Sequence, residues 1–184
     1  MPIPDLDRIR AVIVPGLHDS GPEHWQTRWQ RLYPSFERVE QEHWDLPDLD
    51  AWSAQVRTVL QRSSRPTLII AHSFGCLASV HAHRDASNLV GALLVAPADP
   101  DKFDVAHRLR GAMNCPSIVV GSTNDPWMTG ANAALWAQSW GSRFVNAGAL
   151  GHINAESGLG DWREGQSLLA AMLDSAAPRH GSLQ

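Results

Sequence analysis

Four short runs of aliphatic residues, none with polar residues at alternate positions, set the limits on how this chain can fold. They are Ile9 to Val14, Thr67 to Ala71, Val90 to Ala96 and Ser117 to Gly121. A strand with one face in water alternates apolar and polar side chains. A strand without that alternation is covered on both faces, as in a parallel sheet. Two weaker runs, Phe36 to Glu40 and Arg143 to Asn146, bring the expected strands to six.

Helical patterns fill the intervals. Ser20 and Glu23 stand at capping-box spacing with Pro22 in the first turn, and Trp25, Trp29 and Leu32 follow at i, i+4 and i+7. Leu49, Trp52, Val56 and Val59 make a second stripe, and Thr129 is placed to cap a helix carrying Ala133, Trp136 and Trp140. Arg163 to Asp174 forms the last helix. Alternating strands and helices imply right-handed crossovers and a sheet with helices on both faces. The 184 residues suit a single α/β domain over 1–184, with a core from about 8 to 175 and a frayed tail over 176–184.

Composition removes other classes. With 43% hydrophobic and 18% charged residues the chain is neither disordered nor collagen-like. A net charge of -4 without a dense basic run leaves no electrostatic footprint for nucleic acid. The longest apolar stretch, Leu89 to Ala98, is about half of a bilayer crossing, and the opening MPIPDLDRIR is too charged for a signal peptide. Cys76 and Cys115 have no motif spacing and read as reduced, buried thiols. A soluble, cytoplasmic protein with no nucleic-acid or membrane partner is expected.

In parallel sheets the functional groups gather beyond the carboxyl ends of the strands. The segment TLIIAHSFGCLASV runs from a strand through His72-Ser73-Phe74-Gly75 into a helix, the pattern of a nucleophile elbow. Ala71 stands where the first glycine of G-x-S-x-G is usual; it is small enough for close packing. Ser73 is the candidate nucleophile, and a plain helix cap is its bland alternative. A serine needs a base to activate it. His81 and His83 lie on the helix after Ser73, His107 reads as a surface residue and His180 is in the tail. His152, in a Gly148- and Gly151-containing loop after the last strand, is the best placed. Asp125 and Asp99, each just past a strand, are rival orienting acids, and the chain order Ser, Asp, His fits either. Backbone N–H groups of Phe74 and Leu17 are the candidate oxyanion donors. Trp25, Trp29, Trp52, Trp136 and Trp140 fall on helical stripes and are expected in the core, whereas Trp127 and Trp44 are candidate pocket residues. His18 and His24 lack companions for a metal set, and no glycine-rich phosphate loop follows a strand, so neither metal nor cofactor is expected.

Four blocks, VPGLHDSGPEHWQTRW, AHSFGC, GSTNDPW and GHINAESGLGDW, together resemble the serine hydrolases related to retinoblastoma-binding protein nine, which are small lidless α/β-hydrolases. The resemblance runs from about residue 11 to 165. It implies a triad of Ser73, Asp125 and His152, choosing Asp125 over Asp99. It also implies a minimal, mostly parallel six-stranded sheet of order 2-1-3-4-5-6 that lacks the first antiparallel strands of larger relatives. The vertebrate member is glycine-rich after its first strand, where this chain has Leu-His-Asp-Ser-Gly; the departure falls on the second oxyanion donor.

The expected function is cofactor-independent hydrolysis of a small ester, thioester or amide through an acyl-enzyme, carboxylesterase-like before peptidase-like. The base must be neutral to act, so activity falls at acid pH. About seventeen residues between Pro97 and Cys115 leave no room for a cap domain, and an open site for a small-molecule acyl substrate follows. The rival readings are a small-peptide amidase or aminopeptidase, and a non-catalytic protein-binding module that keeps the fold.

Overall fold

Strands form where the aliphatic runs stand, and the way their residues divide between the two faces fixes everything else. A computed structural model describes residues 8–176; His180 and all of the expected frayed tail except Ala176 lie outside the described residues. The strands are β1 (Arg10–Val14), β2 (Glu37–Arg38), β3 (Thr67–His72), β4 (Leu89–Val95), β5 (Ser117–Gly121) and β6 (Arg143–Asn146). They form one sheet of order β2-β1-β3-β4-β5-β6, and every pairing is parallel. The sheet is thus wholly and not mostly parallel. β2 is shorter than the run Phe36 to Glu40: only Glu37 and Arg38 pair, with Val12 and Ile13. Its polar sequence suits an edge, where Glu37 receives two bonds from the Arg10 guanidinium, one of 2.7 Å.

The helices are α1 (Trp25–Leu32), α2 (Leu49–Gln61), α3 (Phe74–Ala82), α4 (Gly130–Ser139) and α5 (Arg163–Ala176). Alternate strand residues point to opposite faces. Val12, Val14, Ile69 and Ala71 join the core built with α2, α3 and α4, whereas Ala11, Ile13, Leu68 and Ile70 join that built with α1 and α5. The five tryptophans expected in the core are all buried, and so is Trp162. Among the described residues no helix is long and apolar enough to cross a membrane.

One helix starts later than its sequence suggests. The Ser20–Glu23 box does not form: the cap of α1 is His24, whose Nδ1 accepts from the Gln26 N–H at 3.2 Å. Residues 16 to 24 are instead taken up by a loop with His18 and Asp19 in the left-handed region. Ser20 Oγ donates to the side chain of Gln26 (2.6 Å) and does not cap. From α1 the indole of Trp25 donates to the Ile153 carbonyl (2.8 Å) and that of Trp29 to the Asp161 carbonyl (2.7 Å). These bonds tie the segment after β6 to the front of the sheet.

Candidate active site

Beyond the ends of β3, β5 and β6, three loops converge. β3 closes on His72, and Ser73 follows with φ 53° and ψ −124°, a conformation that costs a non-glycine residue free energy and turns the chain sharply into α3. Two glycines permit the close approach this needs. A Cβ on Gly75 would lie 2.3 Å from the Pro15 carbonyl oxygen, and one on Gly16 would lie 2.7 Å from the Ser73 Cβ. Ala71, in place of the motif's first glycine, is fully buried in the core with α2 and α3.

The loop after β6 carries His152 back over the sheet end. Gly148 and Gly151 both take positive φ within it. It is laced to the loop after β5: Leu150 N–H donates to Ser122 Oγ (2.9 Å) and Gly151 N–H to Asn124 Oδ1 (2.7 Å). Ser122 and Asn124 escape sequence reasoning because they look like ordinary turn residues. His152 Nε2 lies 2.9 Å from Ser73 Oγ, and its Nδ1 lies 2.9 and 3.1 Å from the Asp125 carboxylate oxygens. A carboxylate only accepts, so Nδ1 holds the proton and Nε2 is left to accept from the serine hydroxyl. The Asp125 side chain is 2% exposed and also accepts from the Trp127 N–H at 2.9 Å. Asp99 is engaged elsewhere. It caps Asp101 N–H at 3.2 Å, meets the Asn132 amide at 3.4 Å, and does not contact His152.

Ser73 and His152 open into a cavity of about 570 Å³ whose wall includes Leu17, Asp99, Phe103 and Trp127. No hydrogen bond within the described residues uses the N–H of Leu17 or of Phe74. Trp127 is 59% exposed at the rim, its ring 6.5 Å from that of His152. Trp44 is not part of the wall. Its ring is drawn toward the core, edge-on to Trp52 at 5.7 Å, and its carbonyl accepts from His18 N–H at 2.8 Å. It braces the Leu17 loop from behind.

Two histidines to which the sequence assigns no role in the site stand behind His152. His72 Nε2 lies 2.9 Å from the His152 carbonyl oxygen, and since a carbonyl only accepts, His72 donates. The ring centroids of His24 and His72 are 4.7 Å apart, and those of His72 and His152 4.9 Å. Burial, then neighbouring His24 and His152, holds His72 well below the ordinary imidazole range. Burial, with Arg38 and His152 adding to it, lowers His24 from 6.5 to about 3. Both rings are uncharged when folded, so the unfolded chain takes up more protons as pH falls below 6.5, and stability drops from there toward about pH 3. At about pH 5 the His24 share of that loss is ~2 kcal/mol, and His72 acts in the same direction. Urea unfolding midpoints at neutral pH and near pH 5 check this; an unchanged midpoint refutes it.

The sequence pattern of the Serine hydrolase family matches residues 11–171. A solved structure from Pectobacterium atrosepticum, described as a YdeN-like hydrolase, is 39% identical, with a TM-score of 0.89 over 94% of each chain. The ydeN gene product of B. subtilis, at 18% identity, shares the fold with a TM-score of 0.74 over 90% of this chain and 98% of its own. The esterase domain of a Rhodothermus marinus protein does so at 14% identity, with a TM-score of 0.65 over 95% and 90%. No curated protein is matched.

Proposed function

Because the chain belongs to the serine hydrolase family, over residues 11–171, we propose that it cleaves small esters, thioesters or amides, esters before peptides, with Ser73, His152 and Asp125 as its triad. The observation that carries this reading is the unbroken chain from Ser73 Oγ through the His152 ring to Asp125, with 2.9 Å at each link, opening into a cavity beyond the strand ends. His152 Nε2 takes the hydroxyl proton as Oγ bonds to the substrate carbonyl carbon. The buried Asp125 carboxylate stabilises the imidazolium so formed. The N–H groups of Phe74 and Leu17 receive the oxyanion, each donor contributing about 3–4 kcal/mol in chemistry of this kind. Collapse breaks the bond to the leaving group, which departs with the proton from His152. Water, deprotonated by the same ring, then attacks the acyl-enzyme and frees the acid and Ser73.

A small substrate suits the walls. The segment between Pro97 and Cys115 forms two short turns, Pro100–Phe103 and Ala106–Arg108, instead of a cap domain. Lys102 Nζ donates to the Trp127 carbonyl at 2.7 Å and pins the rim. The reading includes a reducing, cytoplasmic setting, which two unpaired cysteines suit. The test is labelling with a fluorophosphonate probe: folded wild type takes up one equivalent at Ser73 and Ser73→Ala none. A wild type that takes up no label refutes the hydrolase mechanism and favours a binding module with this fold.

A further inference from the structure

The buried side-chain polar atoms around the cavity all have partners, with one exception. Asp19 is paired with Arg38, Lys102 with the Trp127 carbonyl, Asp99 with Asp101 and Asn132, and Asn154 Oδ1 with the Glu156 N–H. His24 also forms part of the wall, and it is 4% exposed. Its Nδ1 is used, accepting from the Gln26 N–H that begins α1. Its Nε2 is buried without any hydrogen-bond partner; among the described residues the only other such side-chain atom, on Gln41, is not in the cavity wall. Burial keeps the ring neutral, and a neutral ring that accepts at Nδ1 carries its proton on Nε2. This wall residue therefore carries a fixed, uncharged N–H donor that meets no acceptor among the described residues. A buried donor left unpaired costs free energy, which a ligand acceptor recovers.

We propose that the Nε2–H of His24 is a specificity determinant that receives a second oxygen of the substrate, an ether, hydroxyl or carbonyl oxygen away from the scissile bond. With Asp19 offset by Arg38, the carboxylates of Asp99 and Glu156 outnumber the one ammonium of the wall, Lys102, which favours an uncharged oxygen over a carboxylate. The preferred substrates are then oxygen-bearing esters or thioesters, not simple alkyl ones. A site that hydrogen-bonds a substrate group discriminates strongly against analogues lacking it, because its own polar atom is then stranded. The inference rests on the hydrolase reading and narrows it.

The experiment compares isosteric esters in two arms. One places the oxygen in the acyl part (3-methoxypropionyl against pentanoyl, same phenol), the other in the leaving group (2-methoxyethyl against butyl, same acid). Each is run on wild type and on His24→Asn, which retains a good helix cap but loses the distal N–H. Intrinsic reactivity cancels in the comparison between proteins. The oxygen-to-alkyl ratio of kcat/KM is expected to fall at least tenfold in the variant in one arm, and that arm identifies which side of the substrate His24 reads. A merely structural role lowers both esters equally and leaves the ratio unchanged; ratios within twofold of wild type in both arms overturn the inference. Fluorophosphonate labelling of the same samples keeps the two failures apart: labelled Ser73 with unmoved ratios removes only the role of His24, whereas an unlabelled wild type removes the hydrolase reading and this inference with it. If His24→Asn does not fold, His24→Ser replaces it, and ¹⁵N NMR of wild type gives a second answer. The His24 Nε2–H signal must shift with 4-methoxybutan-2-one and not with hexan-2-one, and equal behaviour toward both refutes the inference.

Discussion

Ser73→Ala is expected to lower kcat by about 10⁶-fold, the loss seen when the nucleophile of a coupled triad is removed. It should do so with little change in stability, and this distinguishes the proposed role from a structural one. Ser73 occupies the cap position of α3, yet its side chain makes no capping bond there, and its Oγ is engaged with His152 Nε2. A capping serine replaced by alanine costs the fold about 1 kcal/mol and leaves chemistry alone. The proposed nucleophile should show the reverse pattern. Burst kinetics with an activated ester, read beside urea unfolding, measures both; a variant that is destabilised but still turns over substrate overturns the assignment.

Asp125→Asn carries the second-largest expected effect, about 10⁴-fold in turnover. The carboxylate accepts from Nδ1 and so leaves Nε2 free to accept the serine proton. An amide can present an N–H to Nδ1, which transfers the ring proton to Nε2, the wrong side for a base. Asp99→Asn serves as the control. Asp99 is also buried and in the cavity wall, but its oxygens face Asp101 and Asn132, so its loss should cost far less than that of Asp125. Steady-state rates of the two variants settle the choice of acid, and a larger effect at Asp99 would reverse it.

Much of this arrangement is legible in the sequence. Strand positions followed from the missing alternation in IRAVIV, TLIIA, VGALLVA and SIVVG, a direct trace of burial on both faces. Ser73 is legible from the elbow and His152 from the glycine-containing loop after the last strand, whereas Asp125 and Asp99 each follow a strand and only the family resemblance chooses Asp125. Features set by packing between distant segments were not legible. His72 resembles any residue of the elbow until the His152 carbonyl arrives 80 positions later in sequence. His24 looked like an isolated histidine, since a capping box upstream offered α1 an equally good start. That box lost to a loop with two left-handed residues, which no local pattern announced. Trp44 lies near a predicted loop, as Trp127 does, and nothing local in the sequence tells the two apart; its ring packs against Trp52 and not into the cavity. Trp162 carries no helical stripe, yet it packs 4.9 Å from Trp25 across the sheet end.

The placement of the three groups after β3, β5 and β6 also has a meaning for the life of the chain. Ser73 and His152 are 79 residues apart in sequence, and Asp125 and His152 are 27 apart. Contacts of such separation need the segment after β6 to be present and brought back over the sheet, and their loop-closure entropy makes them slow to form. On the proposed mechanism, a nascent or half-folded chain that has its elbow but not β6 has an inert hydroxyl, and does not acylate itself on activated acyl compounds while it is still being made. If Ser73 is the nucleophile proposed, the number of serines that react in a preparation counts its fully folded molecules.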